Sequence, residues 1–342
     1  MKRDERLLRR IRETLCLDDQ ILARQLDPDF VRYFRHLLRD SIAIKRYFEE
    51  IDYLVQRGGL RGHVLDLAAG FGVTAVSLRM LGVDAATCVD ISETKVMTGR
   101  KLVQLLQVDR CRFLLADGRQ LSFANESFDG VLIKDAVSHF NDPLRIWAEV
   151  ARVLKPGGRL VVFDDRNARN PHVAAATRKI WEMSETGSAK ELQSLGLNSS
   201  FRRMRHEYIA RRFPHLEERA IDAIADMTRG CTFEMLDRAV PSMLEGRTLE
   251  LAPIAPCVNP ESGIVQERLV DPLGLMRDLT KVGYRARLVP PLQWDPKTWL
   301  QDGGSWKGFW ARTAVRMIWP TRALRPMLLQ RMDHFLVAGL KQ

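Results

Sequence analysis

The chain has 342 residues, 46% of them hydrophobic, and a formal net charge of +10, enough apolar content for one large core or for a core plus a cap. Its five cysteines, Cys16, Cys88, Cys111, Cys231 and Cys257, form no C-x-x-C pair, which argues against both a disulfide framework and a zinc site. The charged start Met1–Arg6 precedes no apolar stretch, and no uncharged run reaches the ~18 residues of a membrane span, so a cytoplasmic protein is expected.

Residues 3–57 read as two or three helices, with Leu7, Leu8, Ile11 and Leu15, then Phe34, Leu37, Leu38 and Ile42, at helical spacing. Residues 1–57 carry 13 basic and 11 acidic side chains, the balance of a solvated helical face. These helices are placed where they could cover one edge of a site mouth.

Next comes Val64-Leu65-Asp66-Leu67-Ala68-Ala69-Gly70-Phe71-Gly72-Val73-Thr74, which reads as a buried parallel strand, a tight small-residue turn and a helix ending near Gly82. Ala68, Ala69, Gly70 and Gly72 let backbone approach a ligand closely, and a nucleotide-like cofactor fits against the helix N-terminus. A second strand, Ala86 to Val89, leads into Asp90, a carboxylate placed to bind both hydroxyls of a ribose. A nicotinamide dinucleotide normally requires G-x-G-x-x-G, whereas this turn lacks the third glycine. Asp66 would also repel a pyrophosphate, but it suits a cofactor carrying an ammonium and a sulfonium.

Further along, Leu115-Ala116-Asp117-Gly118 follows a third strand and Ser127-Phe128-Asp129-Gly130-Val131-Leu132-Ile133 leads into a fourth. Val153-Leu154-Lys155-Pro156-Gly157-Gly158-Arg159-Leu160 then turns into a fifth. Over about residues 60–165, and more weakly over 272–290 and 334–340, the chain resembles the class I S-adenosylmethionine-dependent methyltransferases. The resemblance implies an α/β, Rossmann-like, mostly parallel seven-stranded sheet with helices on both faces. N-terminal helices and a helical cap insertion after the fifth strand would be added to it. It implies S-adenosyl-L-methionine as cofactor, wrapped at its methionine end by Asp66, Ala68, Ala69, Gly70 and Gly72. Asp90 would bind the ribose and Asp117 contact the adenine amine, with Ile91 and Gly118 also in the cofactor-binding set. Lys134 is expected to meet the cofactor carboxylate or an anionic acceptor, or to be a solvated strand-end lysine.

A methyl group on a sulfonium is already activated, so its transfer is an in-line displacement that needs alignment more than covalent catalysis, and no metal is required. A hydroxyl acceptor gains from a general base. His139, in Lys134-Asp135-Ala136-Val137-Ser138-His139, is the best-placed imidazole, with Asp135 four residues earlier to orient it. Its other reading is packing over the cofactor or capping the next helix near Asp142-Pro143. After the fifth strand, Asp165 and Asn167 are expected to contact substrate, while Asn170-Pro171 fits a helix N-cap and first-turn proline.

A helix is expected from Pro171 to Gly187. Residues 188–270 exceed the bare fold and are expected to cap the acceptor pocket. Helices are read at Phe201–Arg212, Leu216–Thr228 and Phe233–Glu245, followed by a loop or hairpin rich in Pro and Gly. The sheet resumes with a helix at Pro272–Val282 and strands at Arg285–Val289 and His334–Leu340. The expected division is 1–60 (helical segment), 61–187 (cofactor-binding core), 188–270 (cap) and 271–342 (completion of the sheet).

The last part is basic and Trp-rich: residues 297–342 hold 8 basic and 2 acidic side chains, and Trp294, Trp299, Trp306, Trp310 and Trp319 are five of the seven tryptophans. Trp306, Phe309, Trp310, Ala314, Met317 and Ile318 fall mostly on one side of a helix flanked by Arg312 and Arg316. Three readings are open: a helix packed on the sheet with solvated arginines, peripheral contact with an anionic membrane, and, least favoured, nucleic acid. The expected activity is methyl transfer to a small-molecule or lipid/glycan-linked acceptor, more readily at oxygen than at nitrogen or carbon. An RNA or protein methyltransferase and a non-catalytic cofactor-binding partner are the alternatives, the former weakened by the lack of an N/D-P-P-Y/F tetrapeptide.

Overall fold

The computed structural model describes residues 24, 26–39, 41–246, 255–301 and 303–342. The expected helical stretch around Leu7–Leu15 lies outside them. Two helices come first, α1 (Pro28–Arg39) and α2 (Ser41–Gly58). Alternating units follow: β1 (His63–Leu67), α3 (Val73–Met80), β2 (Ala85–Asp90), α4 (Glu93–Leu105), β3 (Cys111–Leu115), β4 (Phe128–Lys134), α5 (Pro143–Val153) and β5 (Leu154–Asp164). After α6 (Pro171–Thr186) come α7 (Ala189–Ser194), α8 (Phe201–Arg212), α9 (Glu218–Met227) and α10 (Phe233–Leu244). The chain closes with α11 (Pro272–Lys281), β6 (Tyr284–Val289), α12 (Pro296–Gln301), α13 (Trp306–Ile318), α14 (Arg325–Leu329) and β7 (Phe335–Lys341).

The strands form one sheet in the order β3-β2-β1-β4-β5-β7-β6. β1 to β5 pair in parallel, and β7 lies antiparallel between β5 and β6. This is the expected Rossmann-like arrangement. Helices cover both faces because the strands are apolar on both sides. Ile146 and Trp147 of α5 and Leu275 and Leu279 of α11 pack on one face, and Ile51 and Leu54 of α2 and Leu78 of α3 on the other. Phe163 pairs with Leu336, and Leu336 with Val289, so β6 ends at the edge of the sheet where β5 ends.

Lys155–Gly158, expected as a turn before the fifth strand, belongs to β5 itself. A register shift between Phe128 and Gly130 accommodates the irregular start, and Gly157 takes the left-handed φ of 72°. Asn170 caps α6 as its sequence indicates, accepting from the backbone N–H groups of His172 and Val173.

Helices α8 to α10 have an apolar cluster of their own, built on Ile209, Ile221, Ile224, Leu236 and Val240. Ser188 and Glu191 form a capping box at the start of α7. A buried ion pair between Arg205 of α8 and Glu185 of α6 joins the cluster to the rest, and Arg205 also donates to the Ala225 carbonyl at 3.0 Å. Downstream, Val258 and Val265 form an antiparallel bridge, and Val270 pairs in parallel with Asn167 beyond the end of β5.

The C-terminal helix packs on the main core through Val315 and Ile318, but its arginines are engaged rather than solvated. Arg312 turns inward onto the Trp299 ring, 3.6 Å from its centroid, and Arg316 pairs with Asp295 at 2.5 Å. Trp306 and Trp310 face solvent instead. The cause is local: Trp294, Trp299 and Asp295 offer the guanidinium groups ring faces and a carboxylate on the inner side, leaving the outer side to the indoles.

Candidate functional site

The turn after β1 is shaped by positive φ at Ala68 (59°), Gly70 (56°) and Gly72 (80°). A Cβ at Gly72 would lie 2.1 Å from the Phe113 ring, so glycine is required there on steric as well as conformational grounds. Gly70 has nothing within 4 Å of the position its Cβ would take, which leaves an open flank. Its backbone N–H donates to Asp90 Oδ2 at 2.8 Å, and that of Ser92 donates to Asp90 Oδ1 at 2.9 Å. The Asp90 carboxylate is thereby fixed at the end of β2, and each oxygen retains a lone pair for a hydroxyl. Beside it Ile91, 62% exposed, presents an apolar surface on which a flat ring can lie.

Asp66 is 2% exposed, and its Oδ2 has no hydrogen-bond partner among the described residues. Burial, reinforced by the nearby Asp90 charge and opposed by Lys134, pushes its pKa up to about 7. An orphaned, buried carboxylate oxygen just ahead of a turn with an open glycine flank fits a ligand that brings an ammonium group. The residues present therefore suit S-adenosylmethionine: Asp66 for its ammonium, Asp90 for its ribose hydroxyls and Ile91 for its adenine face. Gly118 lies under this region against Leu67 and Ile146. Asp117 is already engaged, because the Arg119 backbone N–H and guanidinium both donate to it and hold its carboxyl below the usual range. An adenine amine would have to share that carboxylate with Arg119.

Where β4 and β5 end, the structure changes several expectations. Lys134 is not free for a ligand carboxylate. It pairs with Glu50 of α2 at 3.2 Å and with Asp135, and it lies 5.4 Å from the ring centroids of both Tyr47 and Phe163. Burial alone would lower its pKa, but Asp135, Glu50 and Tyr47 outweigh that and hold it above the ordinary lysine range. Tyr47 bonds Thr74 of α3 at 2.8 Å, and burial raises its pKa to about 12.

Asp135 does not orient His139. Its backbone is left-handed (φ 50°) and its side chain is held by Lys134, while His139 Nδ1 lies 3.2 Å from the Val265 carbonyl. A carbonyl can only accept, so in neutral His139 Nδ1 carries the proton and Nε2 keeps a free lone pair. The residue is exposed at the mouth. Its orientation therefore comes from the Val258–Val265 hairpin.

Asn167 is no substrate contact. It is fully buried, its amide donates to the carbonyls of Leu329 (2.8 Å) and Met332 (2.6 Å), and its carbonyl accepts from Arg169 N–H (3.0 Å). Both amide protons are used, and at 0% exposure the side chain offers a ligand no surface. Asp165 is half-buried, paired with Arg166 at 2.7 Å, and its pKa is raised by burial. Arg166 reaches on to Glu267 at 2.8 Å. Asp164 is buried under the site, accepting from Ser138 and Arg166 backbone N–H groups, and burial takes it to about 6. Glu50, Tyr47, Val265 and Glu267 were not marked by any local motif. They arrive from α2 and from the segment preceding α11.

A parallel sheet carrying a backbone-held carboxylate after β2 and a small-residue turn after β1 defines an α/β domain for an adenosine-type cofactor. Residues 65–162 match the family model described as a methyltransferase domain. Over that stretch the chain is similar to the methyltransferase-domain family, in line with the resemblance its motifs carry to the class I S-adenosylmethionine-dependent methyltransferases. It is 31% identical over 144 residues to an O-methyltransferase of Pyrenophora dematioidea, covering 41% of this chain and 54% of that one. It is 31% identical over 140 residues to the ubiquinone/menaquinone biosynthesis C-methyltransferase UbiE of Roseobacter denitrificans, covering 40% and 55%. A demethylmenaquinone methyltransferase of Clavibacter sepedonicus is 38% identical over 101 residues, covering 30% and 40%. The chain thus spans about half the length of the curated relatives it matches.

Proposed function

We propose that the protein methylates a hydroxyl of a small molecule, with S-adenosylmethionine as donor and His139 as general base. The observation that carries the donor assignment is the buried, unpartnered Asp66 Oδ2 at the end of β1, in the strand that leads into the turn with the open flank at Gly70. When bound, the donor supplies a methyl group activated by its sulfonium. Asp66 holds the ammonium, Asp90 the ribose, and the backbone at Ala68, Ala69 and Gly70 lines the methionine portion. His139 Nε2 takes the hydroxyl proton, with Nδ1–H anchored on Val265. Residues 188–270 act as the cap on the acceptor side, and Asp165 contacts the acceptor from beyond β5.

Titrating S-adenosylmethionine into the wild type and Asp90→Ala tests the donor site. The expected result is binding in the wild type and at least tenfold weaker binding in the variant. Binding in neither would remove the methyltransferase reading, and equal binding would remove Asp90 from the site. Carbon is the second acceptor atom, favoured by the similarity to the Roseobacter C-methyltransferase. Labelled methyl donor incubated with candidate phenols and quinols separates the two, because an O-methyl ether and a C-methyl product differ in mass-spectrometric fragmentation.

A further inference from the structure

The outer face of α13 has no partner within the described residues. Trp306 is 66% exposed, Trp310 64% and Met317 73%, and with exposed Ala314 they follow the i, i+4, i+8, i+11 line of one helix side. Phe309 touches both indoles edge-on, at 5.4 and 5.3 Å between ring centroids, and holds them as a unit. Leu324 and Met327 carry the exposed apolar strip beyond the helix. A contiguous strip with two indoles in water marks an interaction surface rather than ordinary scattered exposure.

The inner side of the same helix is fully used. Val315 and Ile318 pack on the main core, Arg312 stacks on Trp299, and Arg316 pairs with Asp295. The outer strip is therefore rigidly presented. Its charge surroundings identify the occupant: residues 303–332 contain one lysine, five arginines and no Asp or Glu. Lys307, Arg322 and Arg331 are exposed and have no ion pair among the described residues. Indoles and a methionine rimmed by unpaired cations match the headgroup level of an anionic bilayer, where tryptophan is favoured and each basic residue gains from the surface potential. At 13 residues, α13 is about 20 Å long, too short to span and suited to lying along the surface.

We propose that α13 docks this protein on an anionic lipid surface through Trp306, Trp310 and Met317, with Lys307 and Arg322 on the headgroups. The helix belongs to the connection between β6 and β7, which leaves the sheet at the edge where β5 ends. Docking there brings the edge with the candidate site toward the lipid.

The test is flotation of the full chain with vesicles of phosphatidylcholine alone and of equal parts phosphatidylcholine and phosphatidylserine. Binding is expected to the mixed vesicles, to weaken with added salt, and to fall about tenfold in Trp306→Ser/Trp310→Ser. The Lys307→Gln and Arg322→Gln changes should each cost roughly fivefold. Circular dichroism monitors folding, and the two glutamine variants, which alter solvated side chains, carry the test if the tryptophan variant does not fold. Absence of binding to mixed vesicles, or unchanged binding in all variants, would overturn the proposal. A concentration-dependent dimer that the tryptophan variant dissolves would overturn it too, assigning the face to a second copy. None of these readouts involves methyl transfer, so this proposal and the catalytic one fail separately.

Discussion

The two halves of the sheet edge are built differently. Around the ends of β1 and β2, small residues and backbone N–H groups do the work: Gly70 and Ser92 grip Asp90, Phe113 seats on Gly72, and Asp66 is left unsatisfied. Around β4 and β5, groups from remote segments do it instead: Glu50 pairs with Lys134, Glu267 with Arg166, and the Val265 backbone carbonyl holds His139. A cofactor common to many enzymes can be met by a local turn, whereas the surroundings of β4 and β5 are assembled from whatever the added segments bring.

Asp66→Asn tests that contrast most severely. Removing one member of a buried charge pair costs about 3 kcal/mol, so donor affinity should fall about 100-fold, read by calorimetry. The same change should stabilise the ligand-free protein. The folded state holds a proton on Asp66 up to about pH 7 whereas the unfolded chain releases it near 3.8, so this group's contribution declines as pH rises through that window. At pH 8 the Asn variant should be about 2–4 kcal/mol more stable than the wild type in urea denaturation, and the gap should close at pH 4. Equal stability at both values would show that Asp66 has a partner in solution.

His139→Gln should lower kcat about 100-fold at neutral pH and leave donor affinity unchanged. An unaltered kcat would return His139 to a packing role. Asn167→Ala should cost about 2–3 kcal/mol of stability by stranding the Leu329 and Met332 carbonyls, with acceptor KM unchanged. A changed KM would bring Asn167 back to the substrate. The smallest effect is expected for Glu50→Gln: Lys134 keeps Asp135, so stability should drop only about 1–2 kcal/mol, and donor affinity should hold within about threefold.

The same division explains what could be read in advance. The alternation of strands and helices followed from hydrophobic runs separated by helical periods, and the donor turn was visible because its residues are neighbours in sequence. Bringing Asp66 and Asp90 to neighbouring strands needed only β1 and β2 lying parallel. The acceptor side was opaque because its contacts are distant: the His139–Val265 bond spans 126 positions, and those of Asn167 span 162 and 165. A polar residue after a strand looks the same in sequence whether it faces a pocket or ties down a loop. The C-terminal helix misled for a related reason. Its stripe was correctly located, but which side turns inward was decided by Trp294, Trp299 and Asp295, lying before the helix.

The unsatisfied oxygen of Asp66 also gives ligand capture an acid–base stoichiometry. Near neutrality the empty site is divided between a protonated and an ionised carboxyl, and an arriving ammonium selects the ionised one. Uptake of the donor at pH 7 should therefore expel a fraction of a proton into the medium. Its apparent heat would then track the ionisation enthalpy of the buffer, with a slope that vanishes in the Asn variant.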